Sequence, residues 1–246
     1  MKIQLQFKLL NNRLPLDYRR LFLSFFKRAL SEIAEGKYYE KYYFTPQRRN
    51  FTFAVNLPEP KFSKTEINLG KNELKLTFST ADKEMYFVFM SAFIKQKNRE
   101  IPIPMNNKLK LVSIVQIKEK TAESSSALIK MLSPLCLRVH KSDGNSDRYI
   151  SAANPEFSEK AGEIIQNQLI LSGFDKSMAS DFKIKPINAK KTVVYHYDSY
   201  IECSVGDFVI MADKAILNYL LESGIGSRKS AGFGFAKLIA EGGETG

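Results

Sequence analysis

Cysteine is scarce in this 246-residue chain: only Cys136 and Cys203 occur. That excludes a disulfide scaffold and any cysteine-based zinc site, and it suits a reducing compartment. Long hydrophobic runs are missing as well. The longest near-apolar stretch, Met85 to Ile94, is too short to span a bilayer. The opening residues MKIQLQFKLL alternate like a strand and lack the apolar core and small-residue cleavage site of a signal peptide. A soluble, cytoplasmic protein without a membrane partner is expected. Apolar residues make up 44% of the chain, enough for a real core, so it is not a disordered polymer.

Acidic residues are sparse in the first half. Residues 1–120 hold 23 Lys+Arg against 11 Asp+Glu, a net +12, whereas residues 121–246 hold 14 against 15, a net −1. A field this one-sided captures polyanions and makes their binding salt-dependent, the electrostatic footprint of a nucleic-acid-binding protein. The plainer reading is a set of solvated lysines that keep a domain soluble. Membrane-surface attachment lacks a strongly basic amphipathic terminus to support it.

Periodicity places the elements. Ile3, Leu5 and Phe7 alternate with polar residues in a half-buried strand. A helix is expected from about Pro15 to Ala34, stopped by Gly36, with Tyr18, Phe22, Phe25, Ala29 and Ile33 facing the core. Arg20, Ser24, Lys27 and Ser31 share another face. Strands are expected at Phe51–Val55, Leu74–Phe78 and Lys108–Lys118, with a second helix at Met85–Lys95. The polar stretch from Glu119 to Ser126 reads as a linker. The order then repeats: a strand at Leu135–His140, a turn at Lys141–Asp147 and a return strand at Arg148–Ser151. A helix to Ser172 follows, with Asn154 as N-cap and Pro155 in the first position. Strands near Phe182–Ile187, Thr192–Tyr197 and Tyr200–Ile210, a helix capped by Asp213 and ending at Glu222, and a final strand Ala231–Ile239 complete the chain. The expected architecture is α+β, with two tandem ferredoxin-like βαββαβ domains at 1–120 and 121–246. The tail from Glu241 to Gly246 reads as disordered.

The most specific feature is the loop Gly224-Ile-Gly226-Ser-Arg228-Lys229-Ser-Ala-Gly232-Phe-Gly234. Glycines let backbone amides approach phosphate and permit positive φ, and Arg228 and Lys229 add charge at the same place. It is neither a Walker loop nor a dinucleotide fingerprint, because it follows a helix and precedes a strand. A flexible glycine hairpin with incidental charges is the alternative.

This G-x-G-x5-G-x-G loop resembles the signature of the repeat-associated mysterious protein superfamily. Met131-Leu-Ser-Pro134, Asn154-Pro-Glu-Phe157 and Asn50-Phe-Thr-Phe53 are similar to elements of its CRISPR repeat-processing endoribonuclease branch. The resemblance implies two ferredoxin-like domains, repeat RNA as partner, and cutting of precursor CRISPR RNA with no metal and no cofactor. Attack by a ribose 2′-hydroxyl would leave a 5′-hydroxyl and a 2′,3′-cyclic phosphate. Such a reaction asks for proton acceptance at the 2′-oxygen, protonation of the 5′-oxygen and a cation for the phosphorane charge.

Family members commonly carry a histidine between the first helix and the Phe-Thr-Phe strand, whereas this chain has only His140 and His196, both in the second half. By spacing back from Phe51, Tyr43 falls nearest that position, with Tyr42 beside it, and Arg49 falls where a basic residue is often found. Tyrosine and lysine ordinarily titrate near ~10 and ~10.4, so either would need tuning down to act as a base. Orientation and charge clamping can also drive such a reaction. The candidates are Tyr43 or Tyr42 as proton-handling or positioning group, with Arg49, Lys27 and Arg28 as phosphate clamps. Arg20, Lys41, Arg48, Arg228, Lys229 and the loop glycines Gly224, Gly226, Gly232 and Gly234 are candidates for RNA binding. Tyr38, Tyr39, Tyr42 and Tyr43 would alternatively stack on unpaired bases or form a packed turn. His196 reads as structural, His140 as exposed, and both cysteines as inert packing. Two other functional readings stand beside the endoribonuclease: a relative that binds repeat RNA without cutting, and a structural subunit of a CRISPR effector complex. A homodimer would let two basic faces cooperate on one unstructured RNA.

Overall fold

The computed structural model describes residues 1–45, 49–118, 120–141 and 146–242. The first half contains β1 (Lys2–Leu9), β2 (Arg13–Pro15), α1 (Tyr18–Ser31), α2 (Lys37–Tyr43), β3 (Phe51–Asn56), β4 (Lys61–Phe62), β5 (Glu66–Asn68), β6 (Glu73–Thr80), α3 (Lys83–Gln96), β7 (Glu100–Ile103) and β8 (Asn107–Ile117). The second contains β9 (Ser126–Met131), β10 (Leu137–Lys141), β11 (Ser146–Ile150), α4 (Phe157–Ile170), α5 (Lys176–Ser180), β12 (Lys183–His196), β13 (Ser199–Met211), α6 (Lys214–Ser223) and β14 (Ala236–Glu241).

Two sheets carry the fold, ordered β3-β6-β1-β8-β7 and β12-β13-β9-β14, with every neighbouring pair antiparallel. Each follows the chain order strand, helix, strand, strand, helix, strand. In each, the first and third of those strands are central. The architecture is α+β with a repeated ferredoxin-like unit. Small additions decorate it: a three-stranded sheet β2-β5-β4 and the hairpin β10-β11.

The first core is built from phenylalanine. On α1, Phe22, Phe25, Phe26, Ala29 and Leu30 are buried while Arg20, Ser24, Lys27 and Ser31 are exposed, as the helical period requires. Phe26 meets the rings of Phe51, Phe53, Phe78, Phe89 and Phe93 at centroid distances of 5.2 to 6.1 Å. Tilted and edge-on pairs of this kind add about 0.5–1.5 kcal/mol each beyond area burial. Asp82 caps α3 by accepting from Met85 N at 3.0 Å, and Asp213 caps α6 by accepting from Ala215 N at 2.7 Å. The second core packs Phe157, Ile165 and Leu169 of α4 and Ile216, Leu217 and Leu220 of α6 with Ile129, Phe208 and Ile210 of the sheet.

Several expectations are corrected. Pro15 does not open α1 but ends β2, an edge strand where a missing N–H costs no ladder bond. Gly36 does not stop α1; it is the left-handed N-cap (φ +82°) of the unforeseen α2. Asn154 accepts from Ser151 N at 2.8 Å, and α4 starts later, at Phe157. The two expected strands at 182–187 and 192–197 are one, β12, broken only by a register shift between Pro186 and Asn188. Ser126–Met131, passed over after the polar stretch, is the central strand β9. Residues 231–235 precede the last strand rather than form its start. Of the tail expected from Glu241 to Gly246, Glu241 instead ends β14; residues 243–246, most of the turn at 142–145 and Glu119 lie outside the described residues. Among the described residues, no helix is long and apolar enough to cross a membrane.

Candidate functional site

The reversal after α1 uses left-handed backbone at Ala34, Glu35 and Gly36 (φ 45°, 54° and 82°), which folds α2 back against α1. Successive tyrosines of α2 then point to different environments. Tyr42 is buried in the core, stacked on Phe89 with centroids 6.1 Å apart and on Tyr38 at 6.3 Å. Burial pushes its phenol far up, and its hydroxyl has no hydrogen-bond partner. Tyr42 is therefore a packing residue, and the sequence expectation of a reactive role is corrected.

Tyr43 turns toward the exposed face of α1. Lys27 Nζ lies 5.1 Å from its ring centroid and the Arg49 guanidinium 4.9 Å from it. Helix spacing aims Lys27 outward, and Arg49 arrives two residues before β3 begins at Phe51. Three of the expected residues thus meet at one aromatic ring. Burial pushes the Tyr43 phenol up to about 12, against the opposing pull of Arg49. That shift runs opposite to the tuning down that a proton acceptor needs near neutral pH. Its hydroxyl is enclosed and unpartnered, so the ring faces are what Tyr43 offers to its surroundings.

The remaining candidates lie elsewhere. Arg28 pairs with Glu32 at 3.1 Å and lines a separate groove beside β7. Lys41 pairs with Glu84 at 2.6 Å. Arg20 lies 3.9 Å from Asp17, 4.0 Å from Asp198 and 4.8 Å from the Tyr197 ring centroid. Arg48 lies outside the described residues.

The glycine-rich loop is a buckle between the halves. Gly224 and Gly232 have φ of +86° and +85°, and a Cβ would sit 2.8 Å from Thr52 Cβ at the first and 2.7 Å from the Phe53 ring at the second. Thr52 Oγ1 donates to Phe233 O at 2.8 Å, and buried Arg19 donates through Nε to Gly232 O at 3.2 Å. The loop amides are engaged internally: Gly224 N with Leu220 O, Gly226 N with Gln168 Oε1, Gly232 N with Lys229 O, and Gly234 N with Pro134 O. The expectation that these glycine amides cradle phosphate is corrected. Their role is close packing. Arg228 donates to Tyr149 Oη at 2.7 Å and lies 3.6 Å from Asp147, while Lys229 sits 5.9 Å from the Tyr219 ring centroid.

Sequence reasoning missed the groove that joins these two regions. About 510 Å³ in volume, it is lined by Arg49 and Asn50 at one end, Gly226 to Ser230 along one wall, and Arg138 and α4 on the other. Four cations and no carboxylate line it, although Asp147 pairs with Arg138 from outside at 3.3 Å. Arg138 left only the weak signal of a cation between two apolar strand residues.

His196, buried at the end of β12, meets Asp17 across the two halves, Nδ1 to Oδ1 at 2.8 Å, while Tyr197 N donates to Asp17 Oδ2 at 2.8 Å. Burial pushes the Asp17 carboxyl up, but these two hydrogen bonds, together with the charges of His196 and Arg20, outweigh it and hold the group below the usual carboxylate range. His140 is exposed and contacts Asp147 at 3.1 Å. Cys136 and Cys203 are buried together, each a free thiol, and the Cys136 hydrogen bond and burial push the Cys203 thiol far up. Among the described residues no cluster of three or more His, Cys, Asp or Glu side chains forms a metal-binding arrangement.

Tandem ferredoxin-like units are also the fold of the solved structures that this chain resembles. Residues 117–238 match the family model for CRISPR associated protein Cas6, C-terminal. Over 98% of its length it superposes on a structure described as an RAMP protein binding different RNA substrates (TM-score 0.81, 22% identity, 100% of that chain). The product of a Cas6-related gene from Pyrococcus furiosus is similar (TM-score 0.82, 21% identity, 98% of this chain and 99% of that one). So is a Thermus thermophilus Cas6 product complex (TM-score 0.70, 18% identity, 97% and 100%). No curated protein matches the sequence significantly.

Proposed function

We propose that this protein binds CRISPR repeat RNA and cuts precursor CRISPR RNA at the face where Lys27 and Arg49 flank Tyr43. The convergence of two cations on one aromatic ring carries the reading. The 2′-hydroxyl attacks its own phosphorus and releases its proton to solvent. The phosphorus–5′-oxygen bond breaks, and the departing oxygen takes up a proton, leaving 5′-hydroxyl and 2′,3′-cyclic phosphate ends. Lys27 and Arg49 hold the scissile phosphate in line and stabilise its growing charge. Tyr43 is a positioning residue, a ring on which both cations rest, each contact contributing about 0.5–2 kcal/mol. The groove through Arg138 and Arg228 to Lys229 carries the phosphates on one side of the cut.

One observation favours a second reading, an RNA-binding relative that does not cut. Neither histidine is at this face, and the Tyr43 phenol is raised, not lowered. The test is incubation with labelled repeat RNA in excess EDTA, alongside RNAs carrying single 2′-deoxy substitutions. One cut, abolished by one substitution, is expected. Tight binding without a cut at enzyme excess would replace the first reading with the second.

A further inference from the structure

The tip of the β12–β13 hairpin belongs to the second half of the chain but is fastened to the first. Tyr197 and Asp198 take left-handed backbone (φ 50° and 58°), a tight reversal unusual for a tyrosine. Three groups hold it there: Asp17 accepts from both the His196 ring and the Tyr197 amide at 2.8 Å, and Arg20 packs 4.8 Å from the Tyr197 ring centroid. The Tyr197 side chain itself remains 48% exposed. A strained, doubly bonded turn that presents an open aromatic ring is costly as mere decoration.

Its place on α1 gives it a use. Arg20 and Lys27 are seven residues apart, so they share one helical face two turns apart, about 10 Å along the axis. Arg20 carries Tyr197 at one end of this face, and Lys27 carries Tyr43 at the other. Tyr197 is also near enough to contribute to the raised state of Tyr43. Between Arg20 and Lys27 runs the exposed surface of α1, with Ser24 in the middle.

We propose that Tyr197, with Arg20, forms a stacking platform for an unpaired nucleobase beside the phosphate held by Lys27 and Arg49, and that Asp17 and His196 are the positioning residues that hold the platform in place. This rests on the reading of that face as the RNA-cutting site. Aromatic rings and guanidinium planes stack with bases of any sequence. The second half of the chain thereby supplies a substrate contact to a site otherwise built by the first.

The experiment is a scan of repeat RNAs, each with one 2-aminopurine, bound to the full-length protein, because stacking quenches this fluorophore whether or not the RNA is cut. One position is expected to be quenched by the wild-type protein, to brighten several-fold with Tyr197→Ala, and to stay quenched with Tyr197→Phe. Phe87→Ala, which removes an exposed ring on α3, should change nothing. Asp17→Ala should brighten the same position part of the way. A Phe variant that behaves like the Ala variant, or binding in which no position responds to Tyr197→Ala, would overturn the platform while leaving RNA recognition standing. Failure of the wild-type protein to bind repeat RNA would overturn both.

Discussion

The Arg49 guanidinium lies 4.9 Å from the centroid of the Tyr43 ring, and Lys27 reaches that ring from α1 at 5.1 Å. Two cations on one enclosed phenol leave the ring, not the hydroxyl, as the part of Tyr43 that the proposed cutting site uses. The expected ranking follows. Tyr43→Phe keeps the ring and deletes an unpartnered buried hydroxyl, so the single-turnover rate should stay within about five-fold of wild type. Tyr43→Ala should lower it more than ten-fold, and Lys27→Ala and Arg49→Ala each by roughly 10²–10³. A Phe variant as slow as the Ala variant would return the hydroxyl to the chemistry.

Charge in the groove should appear as salt dependence. For single-stranded RNA, each phosphate contact contributes about −0.7 to the slope of log affinity against log salt. Arg138→Ala and Lys229→Ala should each flatten the slope by about that much and weaken binding alike for different RNA sequences. Lys41→Ala, which removes a cation paired with Glu84, should leave the slope unaltered. Filter binding across a salt series decides, and equal slopes for all variants would remove the groove from the RNA path.

The repeated α+β plan was legible because long alternating or helical periods dominate it: β1, α1, α3, β8 and α6 all fall near their expected places. What escaped was short or masked by neighbours. The hexapeptide of β9 begins on the last of three serines that read as linker. The seven residues of α2 carry four tyrosines, weak helix formers whose helix is set by packing on α1 and α3. The polar run Asn188-Ala-Lys-Lys191 hid the continuity of β12 because it reads as a break between two short strands. The site was half legible. Tyr43, Arg49 and Lys27 were named from spacing, but their meeting at one ring, like the pairing of His196 with Asp17, joins residues far apart in the chain. No local pattern encodes such contacts.

The glycine loop separates packing from phosphate binding. Gly224→Ala would force alanine into a backbone region essentially reserved for glycine (φ +86°, ψ 162°), about 1–3 kcal/mol, and drive its methyl against Thr52. Gly232→Ala would force left-handed backbone on alanine, about 1–2 kcal/mol, against the Phe53 ring. Both should lower the urea midpoint by more than those strain figures alone imply, before any RNA is added. A variant with wild-type stability but weakened RNA affinity would restore the phosphate role.

The contact between Asp17 and His196 makes a signed prediction about acid. A carboxyl held below its ordinary value stabilises the folded state fully above the unfolded pKa, about 3.9, and loses that contribution as pH falls through its lower folded value. Asp17→Asn keeps the shape and removes the charge. At about pH 7 the variant should melt several degrees below the wild type, the shift expected for roughly 1–2 kcal/mol. The gap should begin to narrow below about pH 4 and close only as the pH falls through the lower folded value, where the wild-type carboxyl becomes neutral too. A gap that persists unchanged into acid would mean that the shape of Asp17, not its charge, holds the hairpin. In that case the position of Tyr197 would be insensitive to pH.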